Sequence, residues 1–322
     1  MPVDDPDSAL REPRRRSTAA PQARSRRGID PRHRRRRVLA LALLAGIALI
    51  VIIAAGAGGG TVAEHAVQGP LGFFGRIQTL AADGPGSFAV TERSSESAAI
   101  DRTLAYTPYV RVAGSQHREI ALTFDDGPGP YTPRILSVLA RDGVPATFFE
   151  VGVLERYFHN STSRIVADGY PIGDHTQTHA PMAKLPGVEQ QAQLLQQTSL
   201  IGNYGAPFPR LFRPPYGLWN STTLALLRKY RMLMVLWSVD TSDYRRPGTS
   251  AIVDAAIGGA RPGAIILMHD AGGDRSQTVA ALPRVIAGLR ARGYGLVTVP
   301  KLLLDNPASG NQQIAGIVGS GA

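Results

Sequence analysis

From Ile120 to Val299, short apolar runs alternate with longer stretches in which apolar residues recur three and four positions apart. Short apolar runs bounded by turn residues read as buried strands, and the longer periodic stretches as helices. The pattern predicts strands at Ile120-Ala121-Leu122, Ala146–Val151, around Pro171-Ile172, Met232–Trp237, Ala264–Met268 and Tyr294–Val299. It predicts helices over Tyr131–Arg141, Ser163–Asp168, Val188–Ile201, Ser221–Tyr230, Ser250–Gly258 and Thr278–Arg292. Repeated strand–helix units leave few solutions other than a parallel, barrel-like sheet with helices packed outside it. Sites in such sheets are built at the C-terminal ends of the strands. No internal sequence repeat accompanies the alternation.

The rest of the chain has other compositions. Residues 1–37 hold twelve arginines and five acids, so +7 of the formal net charge of +10 lies there. Few apolar residues accompany them, which predicts a disordered tail. No aromatics interleave with the arginines, so a nucleic-acid partner is not expected. Val38–Ala55 runs 18 residues without a charge and continues into glycines, giving a predicted transmembrane helix over 38–58. Arg34–Arg37 directly before it predict a cytoplasmic N-terminus and an outward-facing remainder. Ala55-Gly56-Ala57 resembles a small-residue cleavage site, and secretion after cleavage is the alternative. Residues 59–114 read as a linker with room for a short amphipathic piece, and 305–322 as a disordered Gly/Ser/Asn/Gln tail. At 43% hydrophobic, the chain can bury a core, and without cysteine any metal must be held by His, Asp or Glu.

Five stretches carry chemistry. Thr123-Phe124-Asp125-Asp126-Gly127-Pro128 puts two adjacent carboxylates where the first strand is expected to break. Neighbouring side chains on a strand point to opposite faces, and the Gly-Pro break is expected to relax that rule. Two close carboxylates need a cation between or beside them; a turn-forming Asp-Gly is the bland alternative. His175-Thr176-Gln177-Thr178-His179 offers two imidazoles four apart, on one face if the backbone is helical, able to share a divalent ion. Arg213-Pro214-Pro215-Tyr216 holds an arginine beside two rigid prolines, suited to orienting a carboxylate. Asp240-Thr241-Ser242-Asp243-Tyr244 and Leu267-Met268-His269 each follow an apolar strand, and Asp243 is available to tune His269.

In this order the five stretches resemble the motifs of the polysaccharide deacetylases with a NodB-homology domain, carbohydrate esterase family four. The resemblance spans roughly residues 115–304, with one departure, Tyr244 where the family has tryptophan. It implies a deformed (β/α) barrel that hydrolyses acetyl groups on polysaccharides with a divalent metal ion, commonly zinc. It implies Asp126, His175 and His179 as metal ligands, Asp125 as general base and Arg213 as its partner. It implies His269 as general acid with Asp243 behind it, and the Tyr216 backbone N–H as an oxyanion donor. Leu267 and Tyr244 would wall the pocket for the acetyl methyl. Together with the predicted anchor, the expectation is a cell-membrane enzyme acting outside the cytoplasm on N-acetylglucosamine of peptidoglycan. Chitin or acetyl-xylan remain open as substrates, as does an inactive glycan-binding barrel.

Overall fold

The computed structural model describes residues 85–312, with side chains from 93 onward. The expected basic tail and the expected transmembrane segment over 38–58 lie outside the described residues. No helix among the described residues is long and apolar enough to cross a membrane.

Among the described residues nine strands form one sheet: β1 (Tyr109–Val110), β2 (Glu119–Gly127), β3 (Thr147–Glu150), β4 (Ile172–Asp174), β5 (Leu211–Phe212), β6 (Leu233–Val235), β7 (Val239–Asp240), β8 (Ile265–His269) and β9 (Gly295–Val297). Their order is β1-β6-β5-β4-β3-β2-β8-β7, with β9 pairing the start of β2, and every ladder is parallel. The result is a curled α/β half-barrel. Among the described residues nine helices accompany it: α1 (Pro85–Leu104), α2 (Thr132–Asp142), α3 (Gly152–Glu155), α4 (His159–Ala167), α5 (Gly187–Gly202), α6 (Ser221–Lys229), α7 (Thr249–Gly258), α8 (Ser276–Ala291) and α9 (Val299–Asp305).

The central strand β2 shows how sequence sets the layers. Its residues alternate between faces, as a strand with period two must. Ile120, Leu122 and Phe124 pack outward with Ile135, Leu139, Val285 and Leu289 of α2 and α8. Phe124 stacks on Phe148 of β3, ring centroids 5.3 Å apart. The other face turns into the curl. Ala121 joins Leu233, Val235 and Ile265 there, with Val299, Leu302 and Leu303 of α9 and Ile100 of α1 plugging the end. Further along the same inner face come Thr123 and Asp125.

Two expectations are corrected. The stretch assigned to a linker carries α1 and β1, and β1 pairs with β6. The buried residues of α1 include Ala99, Ile100 and Thr103, mostly small, so no stripe of large apolar side chains announces the helix. The start of the expected disordered tail is packed. Asn306 accepts from the His117 N–H at 2.5 Å and donates to Glu119 at 2.8 Å. Gln312 accepts from the Arg111 N–H and donates to the Val112 carbonyl, both at 2.8 Å. These amides tie 306–312 to the β1–β2 connection. Composition alone cannot separate such amides from solvated ones.

Candidate active site

The functional side chains converge because each follows a strand end of the same sheet. Asp125 and Asp126 end β2, His175 follows β4, Arg213 follows β5, Asp243 follows β7 and His269 ends β8. They line or underlie a cleft of about 570 Å³, within the range of small-ligand sites.

The adjacent aspartates converge through a device other than the expected Gly-Pro break. Strand β2 continues through Gly127, and its register with β3 slips between Asp125 and Gly127. Asp126 is the extra residue of this bulge and takes a left-handed backbone, φ 70°. Asp125 keeps the inward direction that alternation gives it, and Asp126 reaches the same cleft.

Arg213 is fully buried beneath them. Its Nη1 donates to Asp125 Oδ1 at 2.6 Å and to Thr123 Oγ1 at 2.9 Å. Its Nε and Nη2 donate to the carbonyls of Val235 and Leu236 at 2.9 and 3.2 Å, and its guanidinium lies 4.1 Å from the centre of the Phe149 ring. A buried charge is tolerable when paired and hydrogen-bonded in this way. Burial lowers the proton affinity of the guanidinium, and the Asp125 charge opposes that.

The two histidines lie on a loop, not on the helical turn that their spacing allowed. Thr176 and His179 have φ 69° and 56°. Asp174 Oδ1 accepts the Thr176 N–H at 2.7 Å, and Thr176 Oγ1 accepts the Ala180 N–H at 3.1 Å. The loop nevertheless brings the imidazole rings to 5.0 Å. His175 Nε2 is 3.5 Å from Asp126 Oδ1, and His179 Nε2 is 3.0 Å from the same oxygen.

The donor set fits a divalent ion. Asp126, His175 and His179 each offer one ligand atom, all within 4.8 Å of one another. His175 Nδ1 is 2.7 Å from the Arg213 carbonyl, a contact that puts the proton on Nδ1 and frees Nε2 for a metal. His179 Nδ1 stands 3.1 Å from the Tyr216 hydroxyl in the same outer role. Burial pushes the Asp126 carboxyl up, but the His175 and His179 imidazoles beside it outweigh that and hold the group well below its ordinary range. Asp126 is thus an anion, as a ligand must be. Two imidazoles and one carboxylate match open, catalytic zinc sites.

Across the cleft, His269 Nδ1 is 2.7 Å from Asp243 Oδ1. Asp243 Oδ2 accepts the His269 N–H at 2.8 Å and the Thr278 hydroxyl at 2.7 Å. Burial favours neutral imidazole, but the Asp243 charge and hydrogen bond push the His269 pKa up to about 9. Burial likewise works against the Asp243 charge, which His269 holds below the usual range. The Tyr244 ring packs edge-on to His269, centroids 5.3 Å apart. Leu267 and Tyr244 both line the cleft, as does Tyr216, whose φ is 59°.

Val153, Leu154 and Arg275, which no motif singled out, also line the cleft, with Val151 just past β3 and Trp237. Arg275 donates from Nε to the Ala271 carbonyl at 2.7 Å and from Nη2 to the Gly272 carbonyl at 2.9 Å. It holds the backbone of Gly272 where a Cβ would stand 2.3 Å from Asp126 Oδ2. Behind the site lie four buried carboxyls: Glu150, Glu155, Asp174 and Asp270. Burial raises all four, Glu155 to about 8 and Asp270 to about 7. Three of them adjoin a strand end, which is the signal that was present.

Comparison with known proteins gives one consistent picture. A family model described as polysaccharide deacetylase matches residues 113–235. A chitooligosaccharide deacetylase of Sinorhizobium fredii is 38% identical over 213 residues, 62% of this chain and 99% of that protein. A peptidoglycan-N-acetylglucosamine deacetylase of Bacillus cereus is 36% identical over 186 residues, 57% of this chain and 68% of that protein. A crystal structure of a peptidoglycan N-acetylglucosamine deacetylase, bound to a hydroxamate, superposes with a TM-score of 0.60 at 32% identity. That match covers 66% of this chain and 99% of the other.

Proposed function

The chain belongs to the polysaccharide deacetylase family, and from that premise we propose a metal-dependent enzyme acting on N-acetylglucosamine of cell-wall peptidoglycan. The observation that carries this reading is the pairing of two separate devices across one cleft. On one side stand the three convergent ligand atoms with Asp125 beside them; on the other, a histidine paired with a buried aspartate. Amide hydrolysis needs both, because the attacking water must lose a proton and the amine must gain one.

Asp126, His175 and His179 would hold the ion, taken here as zinc. When bound, such an ion polarises an acyl oxygen and acidifies water at neutral pH. Asp125 would accept the proton of the attacking water. Its Oδ1 is engaged by Arg213 at 2.6 Å, and its Oδ2 lies 3.9 Å from His175 Nε2. Arg213 keeps the carboxylate aimed, since five fixed donors on a fully buried side chain leave it little freedom. The Tyr216 N–H would donate to the developing oxyanion. His269 would deliver a proton to the leaving nitrogen from Nε2, with Nδ1 committed to Asp243. Leu267 and Tyr244 would enclose the methyl group.

Acetate release tests the reading. The protein, stripped of metal and then reloaded with zinc, is expected to release acetate from peptidoglycan in preference to chitin oligomers and acetyl-xylan. Release that is indifferent to zinc would overturn the metal assignment, and a preference for acetyl-xylan the substrate assignment. Zinc and glycan binding without acetate from any substrate would make the protein a glycan-binding barrel.

The site of action in this reading is the outer face of the cell membrane, with 38–58 as a single-pass anchor. The uncharged run beside Arg34–Arg37 supports that orientation. Protease added to intact cells or spheroplasts is expected to digest the catalytic region and spare residues 1–37. Protection of the catalytic region would defeat the outward orientation. Recovery of a soluble form in the medium, starting near residue 58, would replace the anchor with a cleaved leader.

A further inference from the structure

We propose that Arg245 forms a carboxylate-binding subsite on the rim of the cleft, so that the favoured substrate is an anionic glycan. The inference rests on the deacetylase reading and deepens it. Three arginines stand on this side of the cleft, and two are committed. Arg275 is buried and turned onto the carbonyls of Ala271 and Gly272. Arg246 lies 3.5 Å from Asp274, whose carboxylate also accepts the Tyr131 hydroxyl at 2.8 Å. Arg245 is exposed, and among the described residues its guanidinium has neither a carboxylate nor a carbonyl partner. It rests 5.4 Å from the centre of the Tyr244 ring. That ring lines the cleft and packs edge-on against His269.

The guanidinium is therefore two ring contacts from the group that would protonate the leaving nitrogen. Its backbone is fixed as well. Residues Asp243–Arg245 form a single 3-10 turn between two left-handed residues, Ser242 at φ 50° and Arg246 at φ 57°. The Arg245 N–H donates to the Ser242 carbonyl at 3.0 Å, and the turn opens on Asp243, which His269 and Thr278 hold. An uncommitted guanidinium on a rigid mount, stacked on an aromatic ring, is suited to bidentate recognition of a carboxylate. In glycans that alternate N-acetylglucosamine with N-acetylmuramic acid, the adjacent sugar supplies one through its lactyl group, or through the stem peptide attached there. Chitin oligomers supply none.

The test compares glycan strands freed of stem peptides, carrying lactyl carboxylates, with the same strands converted to methylamides. Strands with intact stems form a third arm that separates lactyl from peptide carboxylates. The zinc-loaded protein is expected to favour a carboxylate strand by about two- to fivefold in kcat/KM, through KM, as an exposed ion pair allows. The preference is expected to shrink as salt screens it. R245Q is expected to bring the ratio near one, and R245K to keep part of it. A ratio near one in the unmodified protein, or one that survives R245Q, overturns the subsite. Should neither strand release acetate, the deacetylase reading fails separately, and calorimetric binding of the same strands still decides whether Arg245 selects the carboxylate.

Discussion

Asp126→Ala is expected to lose bound zinc and acetate release together, while Asp125→Asn is expected to keep most of its zinc and lose about 10²–10⁴-fold in turnover. The two aspartates are neighbours, yet the bulge at the end of β2 gives them different partners. Asp126 Oδ1 faces two imidazole nitrogens at 3.0 and 3.5 Å, and its removal leaves only two ligands. Asp125 faces the buried guanidinium of Arg213 at 2.6 Å. Asparagine at 125 preserves shape and the three ligand atoms but cannot take a proton. It also leaves Arg213 buried without its counter-charge, so some loss of stability accompanies the loss of rate. Zinc content, thermal midpoint and acetate release are measured for both variants side by side. Near-normal turnover in Asp125→Asn would remove the base assignment; zinc retained in Asp126→Ala would remove the ligand assignment.

His269→Ala is expected to cost about 10²–10⁴-fold on the amide and much less on an activated acetyl ester, whose leaving group needs little protonation. Equal losses on both substrates would argue against an acid role. The pH profile gives a second reading. His269 is raised from 6.5 to about 9, so its proton is held below that value and lost as pH rises through it. Amide turnover is expected to fall on the alkaline side near pH 9. Asp243→Asn removes the largest of the charges that raise the pKa, so this limb should move down towards the ordinary value of about 6.5. The same linkage bears on stability. The contribution of His269 is complete below the unfolded His value and fades as pH rises through about 9. An alkaline limb unmoved by Asp243→Asn would assign that limb to another group.

Much of this site was legible in the sequence because its chemistry admits few residue types. Two carboxylates at a strand end, two histidines four apart and His269 line one cleft, with Arg213 and Asp243 buried behind them. The means by which they meet were less legible. Spacing allowed a helical His pair, but the Asp174 carboxylate captures the Thr176 N–H and folds a loop instead. A one-residue slip between two strands carries no compositional mark, so the bulge at Asp126 was invisible. Helix α1 escaped because its buried residues include Ala99, Ile100 and Thr103, which make no wide apolar stripe. The packing of Asn306 and Gln312 depends on partners nearly two hundred residues away in sequence, at Glu119 and Val112. The parallel sheet itself was readable from alternation alone, since crossover connections tolerate few other arrangements.

Among the described residues, seven other than glycine have left-handed backbones, and Asp126, Thr176, His179, Tyr216, Ser242 and Arg246 are six of them. All six build the cleft or the loops beneath it. Each such conformation costs on the order of 1–3 kcal/mol for a residue with a Cβ, with Thr176 worst placed because it is β-branched. Glycine is nearly free of that cost. Mutational drift therefore runs downhill towards glycine at these positions, and only retained catalysis opposes it. A lineage of this chain released from selection for chemistry would be expected to shed its ligands and their supports first, gaining stability as it did so. Age without function would be written as glycine around the cleft, while the sheet that once aimed the residues stayed intact.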